Sequence, residues 1–579
     1  MKTKLSSRFV FALTLFSLVG QIAWVVENMY LNVFIYKMFH ASAEDISAMV
    51  AASAIAATLT TVLIGALSDK IGKRKIFICS GYILWGISIL GFMLLKEDLI
   101  KAVFPLAASA SAIGVTCVII LDCVMTFFGS SANDAAFNAW LTDSTDHTNR
   151  GTAEGINAMM PLVAILAVFG GFMFFDLNLA SSWTYIFAII GIVIIGVGIV
   201  GFFVIDEPKL EPKKDGYFRT VVHGFLPSTI RKNASMYIYL FAFIIFNISI
   251  QIFMPYLILY YEVSLGMTDY VFIMAPAIVL ASIVTVLWGK VYDRKGFSFS
   301  VAVSLAWLAV GYVILFFFRS TPLVFIGSLL MMCGYLAGMA VFGAKIRDLT
   351  PVGKSGQFQG VRIFSQVLVP GVIGPYIGVL VLSGAEKIVN NDGTESFVPN
   401  QNIFLAALAA VALLTVYLLL MKEMKCVTEY RITKYNPTNR IDGIYMADEW
   451  TSFSDIGKVF GDTILSQDTY LKTEQAYIDC CIELIEKAKI SKLYIKQAEY
   501  YTENVRFSSS ISNTHEIRQV ITACLREQCW LKLTSKDFFI HFGYDYYMYI
   551  GSSLPSESVI ETAMHHGLYC EQYTSPYNC

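Results

Sequence analysis

Apolar runs long enough to cross a bilayer, about 20 residues each, recur from near Arg8 to near Met421. They fall at roughly 9–36, 45–67, 76–95, 103–131, 153–176, 183–205, 235–261, 269–291, 298–318, 322–346, 357–383 and 402–421. Hydrocarbon offers the backbone no hydrogen-bond partner, and a helix satisfies its own groups within one segment. The first 425 residues therefore read as an all-α membrane bundle of about twelve spanning helices. Composition agrees: mean hydropathy is +0.60, and 15% of residues are charged against roughly 25% in soluble chains. Net charge is −2, so no global field points to nucleic acid. The first run is too long for a signal peptide and reads as a spanning helix. The 11 cysteines lack metal-ligand spacing and read as reduced, packed residues of a cytosol-facing protein.

An even number of spans puts both ends of the bundle on one side, and the Lys/Arg bias chooses it. Lys2, Lys4 and Arg8 precede the first run, and the stretches Lys70–Lys75, Lys209–Lys232, Lys290–Lys295 and Lys345–Lys354 are basic. Alternate loops hold scattered bases such as Lys37, Lys96, Arg319 and Lys387. The expectation is cytoplasmic termini in a multi-pass protein of the cell membrane. The basic break 206–234 separates a six-helix bundle at 1–205 from a second at 235–425.

Two echoes support this division into pseudo-repeats. GALSDKIGKRK runs from Gly65 to Lys75, and GKVYDRKG from Gly289 to Gly296; both read Gly-x-x-x-Asp-(Lys/Arg)-x-Gly. Gly65, Gly72, Gly289 and Gly296 allow tight turns and close helix approach. Arg74 and its neighbours hold the turn on the cytoplasmic side, and Asp69 and Asp293 can pair with a base or sit at a helix N-terminus. Farther on, Phe137–Gly155 matches Phe342–Gly360 without a gap, aligning Asp143 with Asp348 and Gly155 with Gly360. Duplicated halves place a ligand site between them near the midplane.

The first echo resembles the loop signature of the major facilitator superfamily of secondary transporters, with Lys70 and Lys73 where that family usually has arginine. Asn133–Arg150, containing Asp134, Asp143 and Arg150, is similar to a region of the glycoside–pentoside–hexuronide cation symporters, with Ala136 in place of proline. This resemblance implies that Asp134 contributes to sugar or cation binding. Sodium-using members carry acids in the second helix where this chain has Ala57 and Thr61. Proton coupling is therefore favoured over sodium coupling, and facilitated diffusion stays open.

Polar groups inside spans are costly and usually face a cavity or a partner. In the first run, Gln21, Trp24, Asn28 and Asn32 recur at steps of three and four, with Glu27 adjacent to that face. Glu27 is the expected proton carrier. Asn247 and Gln251 stand one turn apart in the seventh run, and Arg362 and Gln366 repeat the spacing in the eleventh. Arg362 is read either as a partner of Glu27 or Asp134, or as an anchor at the cytoplasmic end. Asp122 is read as packing at least as readily as site. Trp24, Tyr256 and Trp288 could stack on a sugar, although aromatics in spans more often pack.

Beyond Lys425 alternating helix and strand patterns indicate a cytoplasmic α+β domain at 426–579. His541, Gly543 and Asp545 resemble the His-x-Gly-x-Asp run of phosphotransferase enzyme IIA domains. Those are all-β and this tail has helical patterns, so His541 reads as a strand residue beside a tyrosine-rich face. No nucleophile–base, metal or phosphate-loop pattern lies in the spans. The expectation is a transporter of a small solute, a sugar or glycoside, neither an enzyme nor dependent on a cofactor. A cytoplasmic regulator of the tail is the further partner. The alternative is a membrane-tethered sensor whose body binds solute and whose tail signals.

Overall fold

The computed structural model describes residues 5–105, 109–145, 149–207, 223–267, 269–350, 355–389, 395–422, 427–441, 444–503, 505–535 and 537–577. The chain divides into two compact units, Met1–Leu418 and Leu419–Cys579.

In the first unit, eleven helices among the described residues are long and apolar enough to cross a membrane. They are α1 Ser7–Phe39, α2 Ala43–Ile71, α3 Lys75–Leu94, α4 Ala110–Asp143, α5 Arg150–Phe172, α6 Ala180–Val204, α7 Ala234–Ser264, a merged helix Val271–Phe317, α10 Thr321–Leu349, α11 Gly360–Leu382 and α12 Asn402–Lys422. The merged helix has 47 residues, about 70 Å at 1.5 Å per residue, more than twice the hydrocarbon thickness. Its backbone leaves helical geometry at Gly296, at φ 74° and ψ −179°, a conformation essentially reserved for glycine. Gly296 thus splits it into α8 (271–295) and α9 (297–317), which completes two sets of six. The fourth helix differs from its predicted run. A short helix Glu97–Val103 precedes it, and α4 continues to Asp143, so Asn133 and Asp134 lie inside the helix rather than at its end.

Local sequence explains the helix ends. Ser42 and Asp45 exchange hydrogen bonds in a capping box that starts α2. Gly72 closes α2 in the left-handed region at φ 70°, donating its N–H to Ser68. Pro322 stands in the first turn of α10, where its missing N–H costs nothing.

Four wide, π-helical turns interrupt the spans: Val26–Tyr30, Ser130–Phe137, Tyr260–Ser264 and Phe364–Leu368. Such turns recur at functional sites because they shift the phase of one helical face against the rest. Each here carries a polar group: Glu27, Asp134, Glu262 and Gln366.

The second unit is α+β. Its seven-stranded antiparallel sheet comprises β3 Thr428–Thr433, β4 Leu493–Tyr500, β5 Ser510–Ile511, β6 Cys529–Thr534, β7 Phe538–Phe542, β8 Met548–Ser552 and β9 Tyr569–Gln572, in the order β9-β3-β8-β7-β6-β4-β5. (β1 Lys387–Val389 and β2 Glu395–Phe397 form a hairpin in the first unit.) Helices α13 Gln467–Lys487, α14 Thr514–Leu525 and α15 Ser556–His565 contribute Tyr477, Cys481, Val520 and Val559 to a core shared with Ile432, Leu531 and Ile540.

His541 lies on β7, 4% exposed, its Nδ1 2.9 Å from Ser575 Oγ. Burial, helped by the charge of Lys532, pushes its imidazole down to about 4. It is thus a buried strand residue bonded at Nδ1. The neutral ring makes a pH prediction. In the unfolded chain His541 protonates near pH 6.5, so below that the unfolded state binds the extra proton. Stability from this residue is full above about pH 6.5, falls as pH drops, and is lost by about pH 4, for a total on the order of 3 kcal/mol. Protection factors against hydrogen exchange at 538–542, taken relative to the intrinsic rate at each pH, should fall across that window. The fall should vanish in His541→Gln; an equal response in the variant would refute the assignment.

Candidate functional site

α1, α2 and α4 meet around Glu27. It is 7% exposed. Its Oε1 accepts hydrogen bonds from Ser53 Oγ at 2.7 Å and Thr126 Oγ1 at 2.9 Å. The two hydroxyls are themselves 2.8 Å apart. Glu27 Oε2 is buried without a partner, and so is Oδ1 of Asp122, which is 1% exposed. The two carboxyls are near enough to act on each other's charge. They also share a depth: Glu27 stands as far from Phe39 as Asp122 does from Ala110, at the same end of the bundle. Glu27 therefore meets two hydroxyls and the charge of an acid.

Asp134, half-buried, accepts from Ser130 Oγ at 2.9 Å and is another charge that bears on Glu27. Beside it Asn133 Oδ1 accepts from the Tyr82 hydroxyl at 3.2 Å. Trp24 packs on Trp85 with ring centroids 5.0 Å apart, and both indole N–H groups are buried without an acceptor. Polar groups in this part of the bundle thus keep unused hydrogen-bonding capacity, which is costly in the absence of a partner.

The expected face of α1 is not continuous. The wide turn at Val26–Tyr30 adds a residue to the helical repeat, so Gln21 and Trp24 are half-buried, Asn28 is exposed and Asn32 is buried. Asn28 Nδ2 donates to the Trp24 carbonyl at 2.8 Å. Across the bundle Asn247 is buried and donates to the Phe243 carbonyl at 2.8 Å. Gln251 packs on Gly374, whose missing side chain leaves room for it. Arg362 lies near the start of α11 beside Gly343 of α10. Gln366 sits in the wide turn after it, so its spacing from Arg362 is not that of one α-helical turn. None of the three aromatic candidates is poised as a free stacking platform. Besides Trp24, Tyr256 is fully buried with its hydroxyl on the carbonyls of Ala43 and Pro375, and Trp288 packs on Trp307 at 4.5 Å.

One end of the bundle is sealed between the halves. The Lys37 ammonium donates to Glu262 Oε1, with the side chains 8% and 17% exposed. The hydroxyls of Tyr270 and Tyr30 are 3.3 Å apart, and Tyr36 donates to the Phe397 carbonyl at 2.7 Å. These contacts join residues far apart in sequence, and periodicity gives no signal for them. Toward the other end, Ile283, Val286, Leu287 and Gly289 of α8 are exposed.

The two echoes occupy that second end and are built differently. In the first half Arg74, 4% exposed, donates from Nε to Asp143 Oδ2 at 2.9 Å and from Nη1 to Ser68 Oγ at 2.6 Å. Glu207, three residues past α6, accepts the backbone N–H groups of Arg74 and Lys75 and so caps α3. In the second half the Tyr292 hydroxyl donates to Asp348 Oδ2 at 2.6 Å. Asp143 and Asp348, aligned by the sequence repeat, thus each accept from a side chain at or beyond the end of the second helix of their half: Arg74 in the loop after α2 and Tyr292 in the last turn of α8. Gly65 packs near Ala135, and Gly289 and Asp293 are exposed. The side chains of Asp69 and Arg150 lie outside the described residues.

The sequence profile of the Major Facilitator Superfamily matches residues 9–375. The chain belongs to the Major Facilitator Superfamily. Solved structures of the same fold include an inward-facing bacterial homologue of the human lysosomal transporter Spinster, 13% identical, covering 72% of this chain and 96% of its own, at a TM-score of 0.53. The nucleoside transporter NupG is 13% identical, with 71% and 99% covered and a TM-score of 0.54. The xylose transporter XylE from E. coli, partially occluded and inward open, is 16% identical, with 71% and 98% covered and a TM-score of 0.52. No curated protein matches the chain by sequence. Membership of this superfamily makes the first unit a multi-pass transporter body.

Proposed function

We propose that this superfamily member is a secondary active transporter in the cell membrane. It moves a small polar solute, a sugar or glycoside, by alternating access, and couples transport to protons rather than sodium. The observation that carries this reading is the pair Glu27 and Asp122, each with an orphaned carboxyl oxygen, at one depth inside the helices. Two carboxyls away from water cannot both stay charged cheaply. A proton taken up by the pair, and released when the halves rock, is the coupling that this geometry supports. Sodium has less support, because Ala57 replaces an acid and the Thr61 hydroxyl is spent on the Ala57 carbonyl at 2.8 Å. Asp134, Gln21, Asn28, Asn247, Gln251 and Gln366 supply the hydrogen-bonding groups for a hydroxylated solute, and the resemblance of Asn133–Arg150 to the glycoside symporters points the same way. The xylose transporter XylE and the nucleoside transporter NupG are neighbours in fold, and cargoes of that kind fit a small polar solute. The Lys/Arg bias supports cytoplasmic termini, which makes the sealed Lys37–Glu262 end external and this conformer inward-facing.

The test is uptake by proteoliposomes of a labelled sugar panel, driven by a pH gradient or by a sodium gradient. Accumulation with the pH gradient alone is expected; accumulation only with sodium overturns the coupling, and none for any sugar overturns the cargo. A second reading, a solute sensor that signals through its tail, draws on the separate core of Leu419–Cys579. Deleting the chain after Lys425 separates the two, since a transporter body still moves solute and a sensor body does not.

A further inference from the structure

In the second unit three side chains converge that the transport cycle does not use. Glu483 lies on α13; His565 ends α15 and His566 follows as its cap. One ligand atom from each comes within 4.8 Å of the others. His566 Nε2 is 2.8 Å and His565 Nδ1 3.7 Å from the same oxygen, Glu483 Oε2. Metal bonds of about 2.0–2.2 Å in a tetrahedral site place neighbouring donors about 3.3–3.6 Å apart. The donors bracket that spacing, and small side-chain rotations would complete it.

The other carboxylate oxygen is engaged. Lys487 Nζ is 2.7 Å from Glu483 Oε1 and donates to Thr562 Oγ1 at 2.8 Å. This contact orients the carboxylate between α13 and α15 and leaves Oε2 directed at the histidines, as outer partners of metal ligands do. Its positive charge also opposes a cation, so the affinity will be below that of a structural site with thiolate ligands. A simple hydrogen bond explains His566 with Glu483. It does not explain why Nδ1 of His565, a side chain 75% exposed, faces the same oxygen. Glu483 and His566 side chains are 30% and 19% exposed, so an ion has a path in and a water can fill the fourth position.

We propose that Glu483, His565 and His566 bind one divalent transition ion of the zinc class, joining α15 to α13. Two imidazoles and a carboxylate suit zinc and its neighbours in the series and disfavour magnesium and calcium, which take oxygen. The experiment is equilibrium dialysis of full-length, tag-free, metal-stripped protein in detergent against Zn²⁺, with bound metal quantified. One equivalent is expected. His565→Ala, at an exposed position that leaves the fold intact, should weaken binding by about tenfold or more, and His566→Ala should remove it. Co²⁺ should give a d–d absorption that both variants lose. Absence of stoichiometric zinc, or equal binding by parent and both variants, would overturn the proposal.

Discussion

Glu27→Gln is expected to abolish concentrative uptake while leaving solute exchange across the membrane intact. The amide keeps the size of the carboxyl, and its oxygen can still accept from Ser53 and Thr126. It cannot gain or lose a proton. A pH difference of one unit is worth about 1.4 kcal/mol per proton, enough to sustain about tenfold accumulation at one proton per solute. The variant should fall from that level to simple equilibration. Exchange, which returns the carrier loaded in both directions, needs no net proton movement and should persist. Asp122→Asn should act in the same direction, because the second carboxyl with an orphaned oxygen is lost from the same depth. Parallel measurement of gradient-driven uptake and counterflow in proteoliposomes distinguishes this from misfolding, which would remove both. Undiminished accumulation in Glu27→Gln would falsify proton coupling through this residue.

The spans are legible in the sequence because lipid leaves the backbone few solutions, and the helical one demands a long apolar run. The number of crossings was legible for the same reason, although Gly296 turns the chain inside what is otherwise unbroken helix. Partners are harder to read. Ser53 and Thr126 are ordinary hydroxyls in an Ala-rich and a Phe-rich run, and only the crossing of α2 and α4 brings them to Glu27. The wide turns defeat the helical wheel, as Asn28 and Asn32 show: one turn apart by arithmetic, one exposed and the other buried. Asp122 carried no pattern that distinguished it from packing.

The second unit repeats the contrast. Alternation exposes its longer strands, yet DFFIHFGYDYYMYIG folds as the hairpin β7–β8 around Asp545 and Tyr546, both in the left-handed region at φ 56° and 60°. Turns of that kind usually announce themselves with Asn or Gly, so the reversal was hidden. The Glu483–His565–His566 cluster joins residues distant along the chain, where spacing rules have no purchase.

Removing either member of the Lys37–Glu262 pair should swing the conformational equilibrium toward the state open at that end. The pair is largely withdrawn from water, and Glu262 Oε2 has no second donor. Truncating one partner leaves the other charged and poorly solvated. For a fully buried pair that costs about 3–5 kcal/mol, and partial exposure discounts it to about 2–4 kcal/mol. The cost falls on the sealed state alone, since parting the halves returns both groups to water. A shift of that size changes the ratio of the two states by about 30-fold to 1,000-fold. Tyr30–Tyr270, Tyr36–Phe397 and Tyr256–Ala43 resist it, so the tyrosine contacts set how much of the shift is seen. Spin labels at the sealed ends of α1 and α7 report the separation directly: Lys37→Ala and Glu262→Ala should each lengthen the dominant distance. The double variant Lys37→Met with Glu262→Leu should return it, because no lone charge is left behind, and the swap Lys37→Glu with Glu262→Lys should do the same. Unchanged distances in the single variants would mean that the tyrosines alone hold the seal, and the ion pair would then have no part in gating.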